Sequence, residues 1–244
     1  MGYDLKKKYV TDIKVDWSYK DLMSKINIPN SKVDYKDFDQ AYVFTEDNRI
    51  IQGFLYLHNG KPLVIPEPEP SILYFINASR QIDKIISIRT QLFDSIGLEK
   101  VIQADQLFSE FFFLGTNFVI NLYSSIEAFN NSIIPNDFTI KIKKRFMDKD
   151  TIQRYACFED KMKTIVPRIF NRSFVIDFNN KWELLDQLKS LRDSVIHTKN
   201  FSKNWAASYR NIYRDYLSFD FENVFKYAKD YMNYYKPDWI ANYK

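Results

Sequence analysis

Within the stretch LRDSVIHTK, Leu191–Lys199, an arginine, an aspartate and a histidine stand close together: Arg192, Asp193 and His197. Histidine exchanges a proton near neutral pH, and arginine carries a permanent charge on a planar fork of donors suited to phosphate or carboxylate. Together they are the parts of a proton-transfer centre that acts on an anion. The same residues also read as a plain helix surface. Lys189, Asp193 and His197 at four-residue spacing would then be surface pairs worth about 0.3 kcal/mol each, and one histidine does not decide between the two readings. The chain has only one other histidine, His58 in YLHNGKP, which adjoins a turn sequence and reads as a surface residue.

These residues need a helix to position them. NNKWELLDQLKSLRDSVIHTKN predicts one, with Asn179 or Asn180 as its cap and Asn200 as a left-handed stop. On 3.6 residues per turn, Leu184, Leu188, Leu191 and Val195 form a narrow core stripe with Arg192 at its flank. Asp193 and His197 then project from the far side, where Trp182, Leu185 and Ile196 suggest a partner surface. The same counting puts Phe111, Phe118, Leu122, Ile126, Phe129 and Ile133 on one face of a long helix from about Asp105 to Ile134. Glu127 and Asn131 point away from that face.

The remaining organisation follows from composition and breakers. With 244 residues and 45% hydrophobic content the chain can fill a sizeable core, and only 5 Gly and 8 Pro leave long helices uninterrupted, so a mostly α protein is expected. QAYVFTEDNRIIQGFLYLHNGKPLVIP predicts a small β-meander, after a polar opening with a short helix around WSYKDLMSKI. PEPEP, Pro66–Pro70, is an extended connector and marks the domain boundary. Ser71 follows and caps a helix that ends before Gly97. A basic loop, TIKIKKRFMDKD, precedes a helix near Thr151 to Ile165 that Pro167 interrupts, and further helices are expected near Trp205–Tyr216 and Phe221–Tyr235.

Several classes are disfavoured. The run Phe111–Ile126 carries Thr116, Asn117, Asn121, Ser124 and Ser125 and is shorter than the ~20 residues a bilayer needs, so it reads as a buried central helix and no membrane association is expected. One cysteine, Cys157, excludes an intramolecular disulfide, and with two histidines it speaks against a zinc site of ordinary composition. The opening MGYDLKKKYV lacks a signal-peptide core, so a cytoplasmic location is expected. Net charge of +4 is compatible with a polyanion partner but far from a dedicated nucleic-acid binder.

Arg192, four intervening residues and His197, with Asp193 directly after the arginine, resemble the R-x4-6-H motif of HEPN-domain proteins. Upstream, NLYSSIEAFNN, Asn121–Asn131, is similar to the earlier helix of that family, which places an acidic residue near the motif. The resemblance runs from roughly Ser71 to the C-terminus and looks nearest to HEPN proteins of bacterial conflict systems, including abortive-infection proteins and toxins. It implies a mainly α fold, a HEPN-type helical bundle over 71–244 behind a small N-terminal β-rich appendage over 1–70.

The activity that the resemblance implies is metal-independent endoribonuclease chemistry, in which the RNA 2′-hydroxyl attacks the adjacent phosphate and leaves a 2′,3′-cyclic phosphate. His197 would transfer the proton, Arg192 would bind the scissile phosphate, Asp193 would orient the imidazole, and Glu127 would position Arg192. No metal or cofactor is expected. Lys199 and Lys203 beside the motif, with Lys143, Lys144 and Arg145 in KIKKR, would contact RNA phosphates, or are simply solvated. On a regular helix Arg192 and His197 lie about 140° apart, so a homodimer with a composite cleft, or a local unwinding at Thr198–Asn200, is needed to aim both at one phosphate. An antitoxin or other regulatory partner would fit such an enzyme. The alternative is a noncatalytic HEPN module that binds nucleic acid or a partner protein.

Overall fold

A computed structural model describes residues 10–11, 41–44, 50–94, 101–142, 144–197 and 209–241. In chain order the elements are β1 (Val10–Thr11), β2 (Ala41–Phe44), β3 (Ile50–His58), β4 (Lys61–Pro66), α1 (Pro70–Asp94), α2 (Val101–Ser132), β5 (Ile140–Ile142) and β6 (Arg145–Met147). After them come α3 (Lys149–Tyr155), a short α4 (Phe158–Asp160), a π-helical turn (Lys161–Ile165), α5 (Val166–Phe170), α6 (Phe174–Asp177), α7 (Asn179–Ile196), α8 (Arg210–Ser218) and α9 (Phe221–Tyr235). The protein is mainly helical. No described helix is long and apolar enough to cross a membrane.

Two compact units are present, one of them Pro70–Ile240. In the other, β3 is the central strand of an antiparallel sheet. Gly53 pairs with Ala41 of β2 and also with Pro66 of β4, while Ile51 pairs with Val43 of β2 and with Val10 of β1. Thus β2 lies along one edge of β3, and β1 and β4 share the other. Asn59 and Gly60 join β3 to β4 with φ of 49° and 75°. Two positive φ values in a two-residue loop match the twist of the flanking strands, which is why Asn-Gly suits this hairpin.

The helical unit is built around α2. Its face Phe111, Phe118, Leu122, Ile126 and Phe129 is fully buried, as the 3.6-residue period predicts. The partners α1, α7 and α9 each lie against it. Ser125 Oγ donates to the Ser71 carbonyl and Lys84 pairs with Glu110, so α1 and α2 run antiparallel. Phe221 of α9 meets Phe111 and Phe118 edge-on, with ring centroids 5.9 and 5.3 Å away. Gly115 lets α8 approach: a Cβ there would stand 3.1 Å from the Tyr216 ring.

Several local expectations are corrected. Ser71 is not the cap of α1, which begins at Pro70, a residue whose missing N–H costs nothing in the first turn. Ser71 Oγ instead accepts a hydrogen bond from Trp239 Nε1 at 3.0 Å. The basic loop after α2 is the β5–β6 hairpin, whose inward residues Ile140, Ile142 and Met147 pack on Ile134, Ile152 and Ile165.

The helix expected over Thr151–Ile165 is broken at Ala156–Cys157, where Cys157 caps α4. Pro167 ends nothing. It sits at the start of α5 directly after the π-helical turn, where the wider turn and first-turn position accommodate the missing donor. Neither asparagine caps α7: Phe178 holds the cap position, and the Asn179 amide reaches Glu183. The later helix is Arg210–Ser218, capped at Tyr209, and residues 205–208 of the expected span lie outside the described residues. The short helix near WSYKDLMSKI and the stop at Asn200 lie outside the described residues.

Candidate active site around Arg192

The buried face of α7 is wider than the stripe expected from its leucines. Trp182, Leu185, Leu188 and Leu191 are buried, while Leu184 and Val195 are only partly covered. Steps of three residues sweep the buried face gradually around the helix, so Trp182 and Leu185 belong to the core and not to an exposed partner surface. Ile196 alone of that trio is exposed, at 47%. Arg192 falls between Leu185 and Leu188 around the helix and is directed at Tyr123 of α2 rather than flanking the core.

There the Arg192 guanidinium lies 4.7 Å from the centroid of the Tyr123 ring. Tyr123 in turn stacks on Phe158 of α4, with centroids 5.0 Å apart and planes 28° from parallel. Phe158 stacks on Trp182, and Lys163 of the π-helical turn covers the outer face of Trp182 at 4.8 Å. Three stacked rings thus carry Arg192 against Tyr123 and Lys163 against Trp182, contacts that restrain the guanidinium. Burial first, and then the negative charge of Glu127, push the Tyr123 hydroxyl up to about 12, against the opposing pull of Arg192. Tyr123 is thus a neutral platform throughout the physiological range.

Asp193 holds the edge of the same arginine. Arg192 Nη1 donates to Asp193 Oδ1 at 2.9 Å, and Lys189 Nζ meets Asp193 Oδ2 at 3.1 Å. Burial opposes the ionised carboxylate, but these two cations outweigh it and hold Asp193 below the usual carboxylate range. The bond to Asp193 in turn raises Lys189. Glu159, 3.7 Å from Lys189, extends the network.

His197 is at the point where α7 ends. Its N–H still donates to the Asp193 carbonyl at 2.9 Å, but its φ of −107° and ψ of 44° have left the helix. The opening of the helix therefore begins at the histidine itself. Its exposed imidazole makes no hydrogen bond to the described residues, so the expected orienting contact from Asp193 is not formed: both Asp193 oxygens are taken by cations.

Glu127 does not meet Arg192 either. Its Oε1 is hydrogen-bonded to Lys161, which also donates to Asn131 Oδ1 at 2.8 Å. Lys161 is 1% exposed, and its stem is enclosed by the core. Glu127 and Asn131, expected to face away from the core, face this lysine. Glu127 and Arg192 nevertheless share Tyr123, whose hydroxyl feels both charges. Tyr123, Phe158, Glu159, Lys161 and Lys163 are residues of this centre that the sequence did not single out.

Among the proposed RNA contacts, Lys144 and Arg145 are exposed on the β5–β6 hairpin, whereas Lys143, Lys199 and Lys203 lie outside the described residues. His58 is exposed beside its turn, with Asn59 Nδ2 3.3 Å from its Nε2. Among the described residues no three His, Cys, Asp or Glu side chains converge as a metal site. A narrow cleft on the other side of α7 is lined by Ser190, Ser194, Asp215 and Ser218. Compared with known proteins, the chain matches no family model, no curated protein and no solved structure.

Proposed function

We propose that the protein is a metal-independent endoribonuclease of the HEPN type, a toxin or antiphage effector that works as a homodimer in the cytoplasm. The observation that carries this reading is the placement of Arg192. Its guanidinium lies over Tyr123, one edge is held by Asp193, and the side chain remains part-exposed at 28%, five residues before an exposed His197 whose imidazole makes no hydrogen bond to the described residues. An arginine locked in this way presents donors to a phosphate with little further loss of side-chain freedom. His197 accepts the proton of the attacking 2′-hydroxyl, Arg192 stabilises the charge that develops on the phosphate oxygens, and the P–O5′ bond breaks as the proton is returned to the leaving 5′-oxygen, which departs as a 5′-hydroxyl. The surface available for pairing two copies centres on Ile196, Asp193 and His197, since Trp182 is interior.

One observation favours the noncatalytic alternative. Asp193 and Glu127 are both neutralised within the chain, and neither contacts the imidazole. A binding module of the same fold would have this arrangement too.

Cleavage of a small RNA panel in the presence of EDTA separates the two. Wild type is expected to leave 2′,3′-cyclic phosphate ends and His197→Ala to abolish cleavage, with RNA affinity largely kept because phosphate binding rests on Arg and Lys. Arg192→Lys retains charge without the fork and should keep only a small residue of activity. If His197→Ala and Arg192→Ala cleave like wild type, the nuclease reading is wrong.

A further inference from the structure

The β5–β6 hairpin has two unlike faces. Ile140, Ile142 and Met147 anchor one of them to the core beside Ile152 and Ile165. On the other face stands the cross-strand pair Lys141 and Phe146, with Lys141 Nζ 5.3 Å from the ring centroid. Phe146 is 78% exposed. A large ring held in water on a rigid strand is not serving the core. Lys141 stands opposite it, Lys144 directly precedes β6, and Arg145 pairs with Ile142 on the other face; all three are exposed and form no ion pair among the described residues. The sequence from Asp137 to Asp148 contains no acid between those two aspartates, while it carries Lys141, Lys143, Lys144 and Arg145.

We propose that this hairpin is a docking surface for single-stranded RNA, with Phe146 stacking on an unpaired base and Lys141, Lys144 and Arg145 holding the neighbouring phosphates. The proposal rests on the RNA-cleaving reading above and names its substrate class. One ring offers too little apolar area to anchor a bilayer or a protein interface. With Lys141 beside it and Lys144 and Arg145 exposed on the same short hairpin, it fits a polyanion whose every repeat carries a flat π-face. A duplex keeps those faces stacked inside and offers the ring nothing, so the unpaired strand is selected. Lys141 lies within reach of the phosphate of the same nucleotide whose base covers Phe146.

The test measures fluorescence anisotropy with the full chain and a labelled, mixed-sequence 2′-O-methyl oligoribonucleotide. That probe has no free 2′-hydroxyl and cannot be cut. It is used single-stranded and annealed to its complement, beside co-sedimentation with phosphatidylserine-containing vesicles. Phe146→Ala should weaken single-strand binding about tenfold and leave duplex binding unchanged. Phe146→Trp should restore it, and Phe146→Leu should not, because leucine keeps apolar area but has no π-face. Wild-type affinity in Phe146→Ala, full rescue by leucine, or a preference for duplex or vesicles would overturn the proposal. Cleavage of unmodified RNA by wild type against His197→Ala reports on the nuclease reading separately. Intact cleavage with Phe146-independent binding removes only the hairpin's role, and Phe146-dependent binding without cleavage removes only the enzyme.

Discussion

Two clusters of the same charged residue types lie on either side of Tyr123, and they differ in what covers them. On one side, Lys161 is sealed at 1% exposure against Glu127 and Asn131, and neighbouring Asn130 accepts from the core hydroxyl of Tyr231 at 2.6 Å. On the other, Arg192, Asp193, Lys189 and Glu159 expose between 26% and 45% of their side chains. A sealed pair must stay whole, because either partner left alone is a charge without water. A rim network is screened and contributes little to stability, so its charges are free to serve a ligand. The contrast gives the first cluster a structural part and, on the nuclease reading proposed above, leaves the chemistry to the second.

The sharpest way to break that contrast is to unpair the sealed side. Glu127→Ala leaves Lys161 buried with only Asn131 and should cost about 3–5 kcal/mol in urea unfolding. Lys161→Met should cost less, because the Glu127 side chain is 27% exposed against 1% for Lys161 and its buried Oε2 has the shorter way to water. Equal costs would show that the two partners are not in unlike surroundings. A step down in size, Tyr231→Phe removes the donor to Asn130 Oδ1 in the core and should cost about 1–3 kcal/mol by the same measurement.

The smallest effect belongs to the rim. Asp193→Asn should cost under about 1 kcal/mol at neutral pH. The folded Asp193 carboxyl titrates below its ordinary value, so its contribution is present above about pH 4 and is lost as pH falls through the depressed folded value. Urea midpoints of wild type and variant should therefore converge in acid. A gap that persists there would mean that Asp193 stabilises the fold by something other than its charge.

What could be read from the chain alone divides along physical lines. The face of α2 was legible because Phe111, Phe118, Leu122, Ile126 and Phe129 are all apolar at the helical period, and no competing stripe exists. On α7 two stripes share Leu188 and Leu191, and the choice between Leu184 with Val195 and Trp182 with Leu185 is made by the Tyr123–Phe158 stack, which is remote in sequence. The hairpin at Asn59-Gly60 announces itself by its turn residues, whereas the sequence between β5 and β6 is Lys143-Lys144, residues with no turn preference. Arg192, Asp193 and His197 could be found from type and spacing. The burial of Lys161 could not, since a lysine becomes interior only through a carboxylate such as Glu127, 34 positions away. Pro167 misled for a related reason: the π-helical turn that absorbs it has no signature in the residue pattern.

The hydrogen bond from Trp239 to Ser71 spans 168 positions, and the Trp239 ring also packs against Phe129 at 5.4 Å. During synthesis, α1 and α2 therefore leave the ribosome with their apolar faces complete while α9 and Trp239, which cover them, are still untranslated. The closing contacts are the last of this unit to form, so the apolar faces of α1 and α2 stay uncovered until Trp239 has been synthesised. Pausing translation before Phe221 would prolong that exposure.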